Sequence, residues 1–135
     1  MILMLVLGIL VFLVITFHKE DARMTDLKKL YYDFIQRVPE KYKVLRKPVC
    51  VTGMYGGDIG TNVNKGSEIF MCIDGDSNDR FHILLHELAH STVSEYDHSD
   101  QFWKNFQDLK NIAKGEGMYS EVKTKSYCGK TISDS

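Results

Sequence analysis

The segment His86-Glu87-Leu88-Ala89-His90 carries the clearest chemical pattern in the chain. On a helix, two histidines four residues apart lie on one face, so both imidazoles can bind one Zn²⁺ ion. Zinc lowers the pKa of a bound water towards about 7, and a neighbouring carboxylate can accept the proton and deliver it to a leaving amine. The spacing therefore predicts a metal-dependent hydrolytic centre with Glu87 as general base. The alternative is a helix with two ordinary surface histidines.

A catalytic zinc ion takes three protein ligands and keeps one position open. We predict His98 as the third ligand, because it lies beyond the end of the helix, where the chain can turn back, and neutral imidazole suits zinc. Metzincins place the third histidine six residues after the second, with a glycine at the turn. That pattern is not met, because His98 lies eight residues after His90 and residues 91–97 contain no glycine. Three carboxylates are the alternative ligands, and those not used are expected to orient the imidazoles by hydrogen bonds: Glu95, Asp97 and Asp100.

The remaining histidines and cysteines are predicted to be structural. We place His18 at a membrane interface and His82 on the surface, and Cys72 in the core as part of an apolar strand. A buried thiol is expected for Cys128, with the alternative that its thiolate occupies the open zinc position as a latency switch. Three scattered cysteines are too few for a disulfide-stapled small domain, and their odd number favours a reducing compartment.

Three helices are predicted to support this centre. The motif helix spans residues 81–94, and an amphipathic helix follows it, with Ser99 as N-cap and its end at Gly115 or Gly117. An earlier helix begins at residues 25–26 and ends before Pro39. The apolar side of the motif helix is expected to pack into the core: Phe81, Leu84, Leu85, Leu88 and Val93.

The strands are predicted between the first of these helices and the motif helix. Residues 48–52 form a short strand, and Val63 pairs with residues 69–73 in a hairpin across residues 64–67. The glycine-rich residues 53–60 lack the phosphate-binding patterns, and the tail after residue 119 shows no clear period. This order predicts one small α+β domain over residues 19–135, a mixed sheet packed on helices.

Residues 1–17, MILMLVLGILVFLVITF, contain no ionisable side chain. A helix of this length spans about 26 Å, long enough for a thin bilayer. A signal peptide would begin with basic residues and end in small ones, and a core helix would be amphipathic. We therefore predict a single transmembrane anchor over residues 1–18. The lysines and arginine that follow it place the domain on the cytoplasmic side.

The composition excludes several classes of protein. A chain of 135 residues with 44% hydrophobic residues and two prolines is neither disordered nor collagen-like. A net charge of −1 argues against a generally basic nucleic-acid binder. The partner expected from the predicted peptidase chemistry is a protein or peptide substrate. The sequence gives no indication of oligomeric state.

Residues 86–103, HELAHSTVSEYDHSDQFW, resemble the active-site segment of WLM-type and SprT-like zinc metallopeptidases. Residues 62–66 with residues 69–72 are similar to the hairpin of the same domains. Residues 102–106 and the tail from Tyr127 to Asp134 look like membrane-anchored members encoded by large DNA viruses. The resemblance covers roughly residues 25–135.

This resemblance implies a compact zincin fold that holds one Zn²⁺ on His86, His90 and His98, with Glu87 as general base. It also implies that the strand before the active-site helix pairs with the substrate backbone. The residues of that strand are Ile69, Phe70, Met71, Cys72 and Ile73.

The expected function is that of a membrane-anchored zinc endopeptidase, with the anchor in a virion or host membrane. Two alternatives stay open. One is a non-catalytic, zinc-stabilised protein-binding domain, against which Glu87 argues, because a structural site needs no base. The other is a DNA-dependent peptidase that acts on DNA–protein crosslinks, as the cellular relatives do. The N-terminal apolar segment and the lack of a broad basic surface argue against this second alternative.

Overall fold

The computed structural model describes residues 1–17 and 20–134. Within those ranges the chain forms helices and short strands in the order helices, strands, helices, hairpin, which confirms the predicted α+β class. The elements are α1 (Ile2–Phe17), α2 (Ala22–Ile35), a 3-10 segment (Glu40–Arg46), β1 (Cys50–Met54), β2 (Gly60–Val63), β3 (Glu68–Cys72), α3 (Ser77–His90), α4 (Asp100–Gly115), β4 (Lys125–Tyr127) and β5 (Lys130–Ile132).

Helix α1 contains the apolar N-terminal segment and is 16 residues long. Among the helices that the structure describes, none combines the length and the apolar character needed to span a bilayer. His18, which we placed at a membrane interface, lies outside the described residues.

The first sheet has the order β1-β3-β2, with β3 in the centre. Strand β3 runs parallel to β1 and antiparallel to β2, so Ile69 lies between Val51 and Asn62. Both hydrogen-bonding edges of a central strand are already used, so a substrate cannot add to it as a further strand. The predicted substrate-pairing role of residues 69–73 therefore does not fit this sheet. Strand β2 is an edge strand, and no other described strand pairs with its outer side.

The core lies between this sheet and helices α2, α3 and α4. Four of the five apolar residues predicted on the buried side of α3 are buried, and Val93 lies beyond the helix and is partly buried. Phe34 of α2 meets Phe81 of α3 edge to face, with ring centroids 5.5 Å apart. Burial of each such large apolar side chain contributes about 1.5–3 kcal/mol, so this packing holds the apolar side of α3 firmly in the core.

The helix ends follow from capping residues. Helix α3 begins four residues earlier than predicted, because Asp76 and Asp79 cap each other: Asp79 N donates to Asp76 Oδ1 over 2.8 Å, and Asp76 N to Asp79 Oδ2 over 3.1 Å. It ends at His90 rather than at residue 94. Helix α2 likewise begins earlier than predicted, after the N-cap Asp21. Helix α4 begins after Ser99, as predicted, with Phe102 N donating to Ser99 Oγ over 3.1 Å.

The tail forms an antiparallel hairpin, β4–β5, which the sequence did not predict. A disulfide between Cys72 and Cys128 ties it to the end of β3. Tyr127 Oη donates to the Cys72 carbonyl over 2.5 Å, and Cys128 N donates to Asp74 Oδ2 over 2.7 Å.

Cys72 lies in the core as part of the apolar strand β3, as predicted, but the prediction of a free, buried thiol at Cys128 was wrong. The Cys128 sulfur is bonded to Cys72, so it is not a thiolate that can block a zinc position, and the pairing also removes the basis for inferring a reducing compartment from the cysteine count. Cys50 is the exposed free cysteine.

Candidate metal centre

Three histidines converge at the C-terminal end of α3. His86 and His90 lie one turn apart on the helix, and the segment after the helix returns His98 to them. The ligand nitrogens of the three residues lie within 4.8 Å of one another, and His86 Nε2 is 3.2 Å from His98 Nε2. Two nitrogens bound to one tetrahedral zinc ion at about 2.0–2.1 Å lie about 3.4 Å apart. The His86–His98 separation therefore suits two ligands of one zinc ion, and the His90 nitrogen lies within 4.8 Å of both.

The surroundings of the histidines favour the neutral form that binds metal. Burial, followed by the neighbouring His90 and His98, lowers the pKa of His86 to about 3. Burial, followed by the neighbouring His98 and Lys65, lowers the pKa of His90 to about 4. Both imidazoles are thus unprotonated at neutral pH, so no proton has to be displaced from them before a cation binds.

Aromatic side chains of α4 form the wall behind the imidazoles. The Phe102 ring stacks on His90 with centroids 4.4 Å apart, and the Phe106 ring meets His86 edge to face at 5.2 Å. The exposed Trp103 lies beside His86 and His98, at 6.1 and 5.4 Å between centroids. These contacts restrict rotation of the imidazoles and keep water away from one side of the centre.

Glu87 is the buried acid of the site. Its side chain is 6% exposed, and Oε1 lies 4.0 Å from His86 Nε2. Burial raises the pKa of Glu87 to about 7, and a hydrogen bond from the Asn62 backbone acts in the opposite direction. A carboxyl group with a pKa near 7 can both accept and release a proton at neutral pH.

Two cavities meet at Glu87. One cavity, of about 390 Å³, lies between α3, α4 and strand β5 of the C-terminal hairpin. Its walls include Ile83, Trp103 and Ile132. The other, of about 290 Å³, lies over His90 and His98 and is lined by Lys65 and Tyr96. Gly60, His86 and Glu87 border both cavities, so the pair forms a groove that passes the edge strand β2.

The carboxylates proposed as alternative ligands lie apart from the cluster. Glu95 accepts hydrogen bonds from the hydroxyls of Ser94 and Ser99, and Asp97 and Asp100 are exposed. The cluster within the described residues comprises His86, His90 and His98. Glu95 was expected to orient an imidazole by a hydrogen bond. It instead accepts a hydrogen bond from Ser99, the N-cap residue of α4.

His82 is buried rather than on the surface, so its predicted location was wrong. Its Nδ1 lies 2.8 Å from the Tyr119 hydroxyl and 3.4 Å from Asp134 Oδ1, and its ring packs on Phe106. The reason is that the tail, whose sequence showed no period, folds over this side of α3. His82 is therefore not part of the cluster formed by His86, His90 and His98.

Sequence reasoning missed two polar residues that hold the centre together, Asn62 and Lys65. Asn62 Nδ2 donates to the Glu87 carbonyl and to Ser91 Oγ, both over 2.7 Å. Lys65 Nζ donates to backbone carbonyls at the end of α3 and beyond it. These contacts join residues 25 to 30 positions apart, so no local pattern indicates them.

Comparison with known proteins finds viral relatives. The chain is 35% identical over 77 residues to an uncharacterised protein of Invertebrate iridescent virus 6. The aligned region covers 49% of this chain and 43% of that protein. It is 31% identical over 83 residues to an uncharacterised protein of Acanthamoeba polyphaga mimivirus, which covers 53% of this chain and 42% of that protein. The predicted relationship to virus-encoded proteins is thereby confirmed, while the chain spans less than half the length of either relative. No protein-family model and no solved structure matches the chain.

Proposed function

We propose that this chain is a zinc-dependent endopeptidase that holds its metal on His86, His90 and His98. The observation that carries the proposal is the 3.2 Å approach of His86 Nε2 to His98 Nε2 beside a buried carboxyl group. A zinc ion held by these residues would act as a Lewis acid and would lower the pKa of a bound water towards about 7. The resemblance of residues 86–103 to WLM-type and SprT-like peptidases supports the same assignment.

Glu87 is proposed as general base and then general acid. Its carboxylate accepts the proton that the attacking water loses as the new bond to the peptide carbonyl carbon forms. The protonated carboxyl then donates that proton to the nitrogen of the leaving amine as the peptide bond breaks. The buried position of Glu87 beside His86 suits both steps, because the same carboxyl group stays next to the site in both protonation states.

We propose that an extended substrate segment lies along the outer edge of β2. Unpaired backbone groups of an edge strand can hydrogen-bond an added strand, and Gly60 and Asn62 of β2 border the groove. This replaces the role first predicted for residues 69–73. The largely apolar walls of the 390 Å³ cavity favour a large apolar substrate side chain next to the cleaved bond.

We also infer that α1 holds the chain at a lipid bilayer. The described side chains at the start of α1 are apolar and exposed, with Ile2, Leu3 and Met4 each more than 70% exposed. A large exposed apolar patch marks a site of interaction with a membrane or another protein. Flotation of the full chain with phospholipid vesicles tests this. Leu5→Lys together with Leu10→Lys is expected to abolish flotation, and unchanged flotation of that variant contradicts the inference.

The catalytic proposal is tested by Glu87→Gln in the full chain. Zinc-loaded protein and the variant are incubated with an unfolded protein substrate, and zinc content, circular dichroism and cleavage products are measured in parallel. We expect the variant to bind one zinc and stay folded but to lose cleavage by at least about a hundredfold. If neither protein cuts while both bind one zinc, the peptidase proposal fails and the zinc-stabilised binding domain takes its place. Cleavage that requires added DNA and declines steeply with salt favours the DNA-dependent alternative.

A further inference from the structure

The turn between β2 and β3 has a defined, irregular backbone. Asn64, Lys65 and Gly66 have φ angles of 49°, 57° and 107°, in the left-handed region that residues other than glycine and asparagine rarely adopt. Gly66 N and Ser67 N both donate to the Val63 carbonyl, over 3.2 and 3.0 Å. This compact turn directs the Lys65 side chain towards the end of α3.

The Lys65 ammonium group joins two parts of the chain. Nζ donates to the carbonyl of His90, the last residue of α3, over 3.2 Å, and to the carbonyl of Glu95. It also lies 4.5 Å from the centre of the Tyr96 ring, which is 75% exposed. One cation thus contacts the helix that carries two histidines and the segment that carries the third.

The end of α3 provides a suitable partner for a cation. The last carbonyl groups of a helix have no partner within it, and the helix dipole places partial negative charge there. Residues 91–98 form turns and bends without regular structure, yet they must return His98 to within 3.2 Å of His86. The start of this segment is tied by Thr92 Oγ1, which accepts from Asn105 over 2.8 Å, and its end by Ser99.

We propose that Lys65 is a positioning residue that presets His98 for metal binding. By binding the carbonyls of His90 and Glu95 together, Lys65 fixes the middle of the segment 91–98 relative to α3. The third imidazole is then already near the other two before the ion arrives, so less conformational freedom is lost on binding. The inference rests on the metal centre of the proposed function but not on its peptidase chemistry.

Anchoring and charge predict opposite effects of removing Lys65. The positive charge of Lys65, which lies beside His90, repels a metal cation at the histidines. If charge were the main influence, a neutral residue at this position would tighten metal binding. If anchoring is the main influence, the same change weakens it. The direction of the change therefore decides between them.

The experiment compares the full chain with Lys65→Met, Lys65→Gln and Lys65→Arg, and with Lys29→Met as a charge-matched control on the exposed side of α2. Zinc affinity is measured by competition with a chromogenic chelator. The visible spectrum of the cobalt-loaded protein reports the number of ligands. We expect Lys65→Met to weaken zinc binding by at least about tenfold, as supporting residues of metal sites do. Its cobalt spectrum should lose the intensity typical of four-coordinate sites.

The other variants complete the test. Arginine can donate to both carbonyls, so Lys65→Arg is expected to restore affinity to within about threefold of the parent, and Lys29→Met to leave it unchanged. If Lys65→Met does not fold, as judged by circular dichroism without metal, Lys65→Gln takes its place, with the same expected direction. Equal or tighter zinc binding by the neutral variants overturns the inference while leaving the peptidase proposal intact. If the parent chain binds no zinc, both fail.

Discussion

Gly60 of β2 lies directly against the Glu87 carboxyl group. A β-carbon added at Gly60 would stand 3.0 Å from Glu87 Oε1 and 3.1 Å from its Cγ. These separations are shorter than ordinary van der Waals contacts, so the proposed general base keeps its position only because the facing residue has no side chain. The edge strand and the Glu87 carboxyl group are thus fitted to each other.

The first prediction concerns Gly60→Ala. The new methyl group requires the Glu87 side chain to move by a few tenths of an ångström, and a displacement of about 1 Å in a reacting group costs about a hundredfold in rate. We therefore expect kcat/KM to fall by about three- to tenfold while zinc affinity stays within about twofold, because no proposed histidine ligand is touched. Gly115→Ala, where a β-carbon meets open space, is the control. Full activity of Gly60→Ala would show that Glu87 does not need its observed position.

The second prediction separates the ligand histidines from the buried one. A free zinc concentration of about a hundred times the Kd adds about 2.7 kcal/mol to the free energy of unfolding, if zinc binds only the folded state. We expect His98→Ala to lose most of this gain, measured by urea unfolding with and without zinc. His82→Asn should lower stability without zinc but keep the gain, because His82 contacts Tyr119 and not the cluster. A full zinc-dependent gain in His98→Ala excludes His98 as a ligand.

The third prediction concerns the Cys72–Cys128 disulfide. It closes a sequence separation of 56 residues, for which the chain-entropy estimate gives about 4 kcal/mol of stabilisation. Replacing both cysteines with serine should lower the free energy of unfolding by about 2–5 kcal/mol. Hydrogen exchange should rise first in the hairpin β4–β5, which forms one wall of the larger cavity. Cys50→Ser, at the exposed free cysteine, serves as control. Equal stability of the double variant and the parent would mean that the disulfide does not support the hairpin.

The features that the sequence predicted and the structure bears out are those whose relationship is local. The position of the two motif histidines on one side of a helix follows from helix geometry, and the start of α4 follows from Ser99 as a cap. His98 was proposed because zinc chemistry restricts the ligand types within a short segment; the structure brings it to the other two histidines, and its role as a ligand stays a prediction. The buried back of α3 follows from the apolar period of its residues.

What the sequence did not predict depends on contacts between distant parts of the chain. The central position of β3 depends on a parallel partner, β1, about 18 positions earlier in the chain. The alternation of apolar and polar residues along one strand does not indicate which strands will pair with it. The hairpin β4–β5 has strands of three residues, too short for a pattern. The disulfide joins β3 to the turn between β4 and β5, 56 positions away. The Lys65 contacts depend on a turn whose backbone is unusual.

The last prediction concerns Asp134, a residue of the tail that is bound to Lys110 of α4. Burial alone raises the pKa of Asp134, but hydrogen bonds from Lys110, Tyr119 and the Val122 backbone outweigh it, so the pKa is held below its usual value. The Lys110 Nζ to Asp134 Oδ1 distance is 2.7 Å, and both side chains are more than 90% buried. Removal of one member of such a pair leaves the other charge buried without a counter-ion, which costs about 3–5 kcal/mol.

We therefore expect Asp134→Asn to lower the free energy of unfolding by about 3–5 kcal/mol at pH 7. A lowered folded-state pKa contributes stability above the unfolded value of about 3.9, and that contribution is lost as the pH falls through the folded value. The difference between parent and variant should thus stay constant from pH 7 to about pH 5 and shrink below about pH 4. Urea unfolding at a series of pH values measures it, with Asp26→Asn on the exposed surface of α2 as control. A difference that grows on acidification would mean that Asp134 is protonated in the folded protein, and that the buried ion pair with Lys110 does not hold the tail over His82.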